Sequence, residues 1–322
     1  MIDNNEIYNF CTIFDSGYFA KGLALYKSLE MVCNFNLYVF TSDIECIKLL
    51  EERSLDKMIV VNLSEIETEK LLELKHKRDA AEYYWTIKAP CITYLFNNLK
   101  LDIVSYIDAD IFFYSSPKPF FDELGEKSVL ITPHNFSPMY KKDINNGIYN
   151  AGYISFRNDD AGRNALRWWE DRCIEWCFRK KEDGKFGDQL YLNTLSTFEG
   201  VHSLLHRGIL ANWNIQQYKF VYKNNSIEGL TSLNERFKVI FFHFHYLNFY
   251  TNGEVELGRR LISKEIINLF YKPYIKLLYE LVPAEFNGIT KKPLTWKTPL
   301  IYVKRKIENT YNIFSVSNLL SK

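Results

Sequence analysis

From residue 7 onward, short apolar runs rich in β-branched and aromatic residues alternate with longer segments whose apolar residues recur every three or four positions. Ile7 to Phe14 reads as a buried strand closed by the turn Asp15-Ser16-Gly17, and Phe19 to Val32 as a helix packed by one face. Phe35 to Thr41, Ile44 to Arg53 and Met58 to Asn62 repeat the order strand, helix, strand. Parallel strands need a crossover, and a helix lying on the sheet supplies it. The alternation therefore predicts an α/β fold, Rossmann-like, with a mostly parallel central sheet flanked by helices. Further strands are expected at Ile103 to Ile107, Val129 to Thr132, Tyr149 to Arg157 and Lys238 to His245. Helices are expected over Glu65 to Leu99 with an interruption at Pro90, over Ala161 to Arg179, Leu190 to Leu195 and Glu254 to Leu281. The expected organisation is one α/β domain over 1–250 and a helical region with a basic tail over 251–322.

A chain of 322 residues with 47% hydrophobic residues can bury a large core without disulfides or structural metals. Its net charge of +1 gives no electrostatic footprint for nucleic acid. The six cysteines lack C-x-x-C spacing and read as buried free thiols in a reducing compartment. Cys173 and Cys177, four apart, are expected on one helix face, as buried thiols or as a zinc half-site. The polar start Met1-Ile2-Asp3-Asn4-Asn5-Glu6 is unlike a signal peptide, and no run reaches the roughly 18 apolar residues of a spanning helix. A cytoplasmic protein is expected. From Asn287 to Lys322 there are seven Lys/Arg and one acidic residue, Glu308, with Trp296, Leu300, Ile301, Tyr302, Ile313 and Phe314 interleaved. That pattern suits peripheral contact with the inner face of an anionic membrane, or a terminal helix packed on the domain.

Five groups of residues carry chemical information. Asp108-Ala109-Asp110 ends the strand Ile103 to Ile107 and is followed at once by Ile111-Phe112-Phe113. Ligands of open α/β sheets bind at the carboxyl ends of strands. Two carboxylates inside an apolar run are costly unless a cation joins them, and Mn²⁺ or Mg²⁺ takes such oxygen ligands. His243-Phe244-His245 follows the run Val239 to Phe242, and strand alternation places both imidazoles on one side, as metal ligands or hydrogen-bonded core histidines. Asn150-Ala151-Gly152 combines a side-chain amide with a glycine that permits close backbone approach. Gly187-Asp188-Gln189 offers a carboxylate and an amide, for a ligand or for capping a helix. Within Arg78 to Lys88, the two basic ends could neutralise a diphosphate, and Glu82, Tyr83 and Trp85 could line a pocket.

In this order the motifs resemble those of the GT-A-fold glycosyltransferases, in particular the family 8-like group with its D-x-D motif. The resemblance runs over about residues 6 to 250. It rests on Cys11-Thr12-Ile13-Phe14-Asp15, Arg78, Asp108-Ala109-Asp110, Asn150-Ala151-Gly152, Asp188-Gln189-Leu190-Tyr191-Leu192-Asn193 and His243-Phe244-His245-Tyr246. It implies a hexosyltransferase moving sugar from a nucleotide diphosphate, with UDP expected, to a glycan or lipid-linked glycan acceptor. Bacterial surface polysaccharide is the expected context. By resemblance, Asp108, Asp110 and His243 hold Mn²⁺ or Mg²⁺. Thr12, Phe14, Asp15, Arg78, Lys88, Ala109, Asn150, Ala151 and His245 lie near the donor, and Asp188 and Gln189 stand at the reaction centre. Retention of the anomeric configuration is expected. The chain departs from the group after His243, where Gly and then Lys-Pro-Trp usually follow and the lysine holds the leaving diphosphate. Here the sequence is Tyr246-Leu247-Asn248-Phe249-Tyr250, which leaves that task to His245, Arg259 or Arg260.

Two other readings compete. A sugar-1-phosphate nucleotidyltransferase would carry a glycine-rich basic loop after the first strand, and residues 15–22 contain Gly17 and Gly22 but no such loop. A carbohydrate-binding protein would use D-A-D structurally.

Overall fold

The structure is a computed structural model that describes residues 6–223, 226–282, 288–295, 298–308 and 310–321. Met1 to Asn5 and Trp296, and the side chain of Ile301, lie outside the described residues. The chain divides into two compact units. One comprises 1–15, 29–109 and 116–206, the other 16–28, 110–115 and 207–322. The expected boundary near residue 250 falls inside the second unit.

In chain order the elements begin with β1 (Ile7–Ile13), α1 (Phe19–Val32), β2 (Asn34–Thr41), α2 (Ile44–Arg53) and β3 (Met58–Asn62), all of the first unit except α1 up to Ser28, which is of the second. The chain continues through α3 (Glu69–Lys77), α4 (Ala80–Asn98) and β4 (Ile103–Ile107), then β5 (Ile111–Phe113), α5 (Lys118–Leu124), β6 (Val129–Pro133), β7 (Tyr149–Arg157), α6 (Asp160–Glu175), α7 (Leu192–Leu195) and β8 (Val201–Ser203). Seven of these strands form one sheet in the order β3-β2-β1-β4-β7-β6-β8. β3, β2, β1 and β4 run parallel, whereas β7 is antiparallel to both β4 and β6. The fold is thus mixed α/β with a mostly parallel central sheet flanked by helices, as the alternation of patterns required. Its core joins the strands to α4 and α6 through side chains such as Phe40, Ile87, Phe96, Ile154 and Trp169.

Among the described residues the second unit contains β5 and nine further short strands. β9 (Ile209–Ala211) precedes the meander β10 (Lys219–Lys223), β11 (Ser226–Leu230) and β12 (Arg236–Lys238). β13 (Phe241–His243) lies between β5 and β9. β14 (Asn248–Tyr250) and β15 (Glu254–Glu256) follow, then the helical turns α8 (Lys264–Ile266) and α9 (Lys272–Leu281), β16 (Lys291–Lys292), α10 (Thr298–Ile307), β17 (Ile313–Ser315) and α11 (Val316–Ser321). Phe242, Phe244, Phe270, Tyr271 and Tyr274 dominate its core.

Four expected elements differ from those observed. The break in the long helix lies at Arg78-Asp79 and not at Pro90. Asp79 caps α4 through a reciprocal capping box with Glu82, and the buried Pro90 is carried inside the helix at the loss of one backbone hydrogen bond. α6 ends at Glu175, so Cys177 stands beyond it. Arg78 donates to the carbonyls of Cys173 (2.8 Å) and Ile174 (2.8 Å) and closes the last turn. All six cysteines are buried free thiols. The apolar run Lys238 to His245 is divided between two sheets, β12 and β13, and His245 falls past the strand end. Glu254 to Glu256 is a strand. The helical stretch starts only after Ser263, whose hydroxyl accepts from the Ile266 amide.

The basic tail is packed within its own unit. β17 pairs antiparallel with β15, the buried Arg305 is paired with the buried Glu256, and the Asn312 side chain donates to the Arg260 carbonyl (2.6 Å). No helix among the described residues is long and apolar enough to cross a membrane.

Candidate active site

Within the first unit, the site grows from the junction of β4 and β7. The Asp108 amide donates to the Gly152 carbonyl at 2.9 Å, so sheet pairing sets D-A-D beside N-A-G. α4 runs along this edge and contributes Lys88. Its ammonium is buried 3.2 Å from Asp108, 3.0 Å from Asp188 and 3.1 Å from the Ala151 carbonyl, and it lies over the Tyr106 ring. One lysine thus joins three sequence motifs. Burial opposes its charge, but the two carboxylates outweigh burial and hold the ammonium protonated. Burial also raises the Asp188 carboxyl; Lys88 pulls it back down and Asp108 pushes it further up.

Asp188 is fixed from behind, since its backbone carbonyl accepts from the Trp169 indole at 3.0 Å. It caps no helix: α7 begins after Tyr191 with no side-chain cap. Gly187 precedes it at φ +53, and a Cβ there would meet the Trp85 ring at 3.3 Å, so both backbone and space call for glycine. Gln189 is half-buried and donates to the Asn146 carbonyl at 2.9 Å. Asn150 turns its amide oxygen onto the Gly152 amide at 2.9 Å, which holds the bend at the start of N-A-G.

The remaining predicted donor-side residues of this unit are placed less openly. Thr12 is fully buried on β1, and its hydroxyl has no hydrogen-bond partner among the described residues. Phe14 is buried, and Asp15 accepts from the Tyr84 hydroxyl at 3.4 Å. Arg78 is buried with its terminal nitrogens on Thr86 and on the carbonyls that end α6.

Within the second unit, β5 and β13 pair so that His243 stands opposite Ile111, and the Phe244 amide donates to the Asp110 carbonyl at 2.8 Å. That register brings the His243 Nε2 to 3.0 Å from Asp110 Oδ1. Lys21, from the first turn of α1, reaches within 4.0 Å of Asp110 Oδ2. Burial alone would raise the Asp110 carboxyl, but His243, Lys21 and His245 together hold it well below the usual carboxylate range. The His243 and His245 rings lie 5.5 Å apart, and each meets the Trp213 ring edge-on. Tyr246, where the resembled motif has glycine, takes φ 66, a conformation that glycine adopts without strain. Arg259 lies over its ring at 5.1 Å.

Sequence reasoning missed Lys21. A lysine in the first turn of a helix looks like solvated charge, and only the tertiary fold shows it buried.

No protein-family model matches the chain. The fold is mixed α/β; Asp108 shares the buried Lys88 with Asp188 in the first unit, and Asp110 stands beside His243 and Lys21 in the second. The chain is 32% identical over 299 residues to the Bacillus subtilis (strain 168) protein YfnF, spanning 88% of this chain and 97% of that one. It belongs to the same family as YfnF. A second B. subtilis protein, YfnD, is 29% identical over 277 residues, spanning 83% of this chain and 88% of YfnD. Both are described as uncharacterized proteins. Among solved structures, the WbbM bifunctional glycosyltransferase in its apo form matches 95% of this chain and 52% of its own, with a TM-score of 0.50 and 14% identity. The chain thus spans about half of WbbM, and the likeness is one of fold. Apo mouse xyloside xylosyltransferase 1 matches 74% of this chain and 98% of its own at 14% identity, with a TM-score of 0.45.

Proposed function

We propose that this protein is a metal-dependent GT-A-type glycosyltransferase that moves a hexose from a nucleotide diphosphate, UDP foremost, to a glycan or lipid-linked glycan hydroxyl. The observation that carries the reading is the Asp110–His243 contact, a buried carboxylate and imidazole at 3.0 Å, with Asp108 of the same D-A-D segment as the third proposed ligand. Two carboxylates and one imidazole suit Mn²⁺ or Mg²⁺ and leave coordination positions for diphosphate oxygens. A cation held there supplies Lewis-acid neutralisation of the departing diphosphate. The fold shared with WbbM, itself described as a glycosyltransferase, supports the same reading.

The chain's own residues then divide the work. Lys88 holds Asp108 and Asp188 in fixed orientations, so the ligand carboxylate and the sugar-side carboxylate are set by one ammonium. Asp188 and Gln189 face the sugar and the anomeric carbon, with Asn150 and Ala151 beside them; Thr12 with its unpartnered hydroxyl, Phe14 and Asp15 serve the nucleoside. Retention is the expected stereochemistry, and product-anomer NMR checks it: a β product from an α-linked donor contradicts retention.

Mn²⁺ titration followed by electron paramagnetic resonance tests the ligand set. Asp110→Asn and His243→Ala should each weaken Mn²⁺ binding by about a hundredfold or more. Unchanged binding in both would remove the metal from the account. Peripheral membrane contact belongs to the same proposal. Leu300, Val303 and Ile307 are exposed on α10 with Lys304 and Lys306 beside them, a surface suited to anionic lipid. Flotation with anionic liposomes should be lost when the three apolar residues become serine, and retained binding would exclude α10.

A further inference from the structure

We propose that Lys21 is a further donor-binding residue, whose ammonium takes part of the charge of the metal-bound diphosphate; this rests on the transferase reading above. Lys21 is the third residue of α1. A cation there is opposed by the positive end of the helix dipole, and its burial takes it out of water. Such a position is unfavourable for a lysine with only a structural part to play.

Its surroundings compensate it incompletely. The ammonium has three donors. Among the described residues it makes one hydrogen bond, to the Leu247 carbonyl at 3.4 Å, lies over the Tyr18 ring at 4.1 Å, and stands 4.0 Å from Asp110 Oδ2. Charge-assisted N–H···O contacts close to about 2.7–2.9 Å, so the Asp110 distance is an ion pair across a gap and not a bond. Asp110 meets His243 through its other oxygen, Oδ1. The carboxylate therefore has a metal-ligand partner on one side and a lysine, with donors to spare, on the other.

The sequence after His243 strengthens the assignment. No lysine or arginine occurs from Phe244 to Gly258, and Arg259 is exposed on the Tyr246 ring. The Lys21 ammonium is anchored to the backbone of that same segment, at Leu247, and is a buried cation beside Asp110. An anion bound to a cation at Asp110 and His243 would find in Lys21 a second positive charge, already desolvated and positioned.

The test compares the full-length wild type with Lys21→Met, which keeps the apolar stem and removes the charge. Mn²⁺ binding is read by electron paramagnetic resonance, and UDP and UMP binding in saturating Mn²⁺ by calorimetry. The variant should bind Mn²⁺ as the wild type does or more tightly. It should bind UDP about tenfold more weakly and lose most of the preference for UDP over UMP, and Lys21→Arg should recover part of both. Unchanged UDP affinity in Lys21→Met overturns the proposal. Equal weakening of Mn²⁺ and UDP also overturns it, because Lys21 would then only shape Asp110. If Lys21→Met melts before the assay temperature, Lys21→Gln carries the same comparison. A wild type that binds Mn²⁺ but no nucleoside diphosphate would instead sink the transferase reading, and this residue's role with it.

Discussion

Asp188 and Asp110 are both buried aspartates at motif positions, one in each unit, yet their carboxyls are shifted in opposite directions. Asp188 shares one lysine with Asp108, so burial and a neighbouring carboxylate together prevail over a divided cation. Asp110 has His243, Lys21 and His245 around it, and these prevail over burial. The same side chain is thus raised where two acids compete for one base and lowered where several bases surround one acid. The first arrangement holds two carboxylates in place; the second keeps one carboxylate ionised and ready to bind a cation.

The comparison breaks most visibly at Lys88. Lys88→Met would leave two buried carboxylates without their cation, and the expected cost is about 3 kcal/mol or more near neutral pH. Thermal and denaturant unfolding measure it, and the loss should shrink in acid as Asp188 takes up a proton. Adding Asp188→Asn should recover much of the loss. A fully additive double mutant would mean that Lys88 and Asp188 act independently.

The pH dependence of stability sharpens the comparison next. Asp110 is lowered from 3.8 in the folded protein, so its contribution is present above that pH and is lost as pH falls through the native value. Asp188 is raised from 3.8, so its contribution is present below that pH and is lost as pH rises through the native value. Denaturant unfolding with chelator present, over about pH 2.5 to 6, should show acid loss flattened by Asp110→Asn. Asp188→Asn should remove a decline at higher pH. Slopes of the same sign from both substitutions would contradict the account.

The smallest effect is expected at Tyr246. Tyr246→Gly relieves a left-handed conformation worth about 1 kcal/mol, and loses the Arg259 contact, worth about 0.5–1 kcal/mol. The net change in unfolding free energy should stay within about 1 kcal/mol. A larger loss would show that the tyrosine ring carries more packing than its exposed position implies.

Much of the first unit was legible because local pattern and tertiary role coincide there. Ile44 to Arg53 and Met58 to Asn62 match α2 and β3 residue for residue, since an Asp43 cap and a short β-branched run are decided locally. The second unit was less legible. Lys238 to His245 carries the unbroken apolar stretch Val239 to Phe242, and nothing in such a run marks where one sheet hands the chain to another. The D-A-D, N-A-G and D-Q motifs were legible as groups, but their joining by Lys88 was not, because a lysine in mid-helix gives no sign of being buried. The contacts of Arg78 with the end of α6 were not legible either, because they join residues almost a hundred positions apart.

Release of nucleoside diphosphate from a panel of nucleotide sugars, measured with Mn²⁺ and with chelator, tests the central claim most directly. The account predicts Mn²⁺-dependent release from at least one donor, abolished by chelator and by Asp110→Asn in a protein that remains folded. Release that persists without metal or in Asp110→Asn would contradict it, as would a folded wild type inert towards every donor.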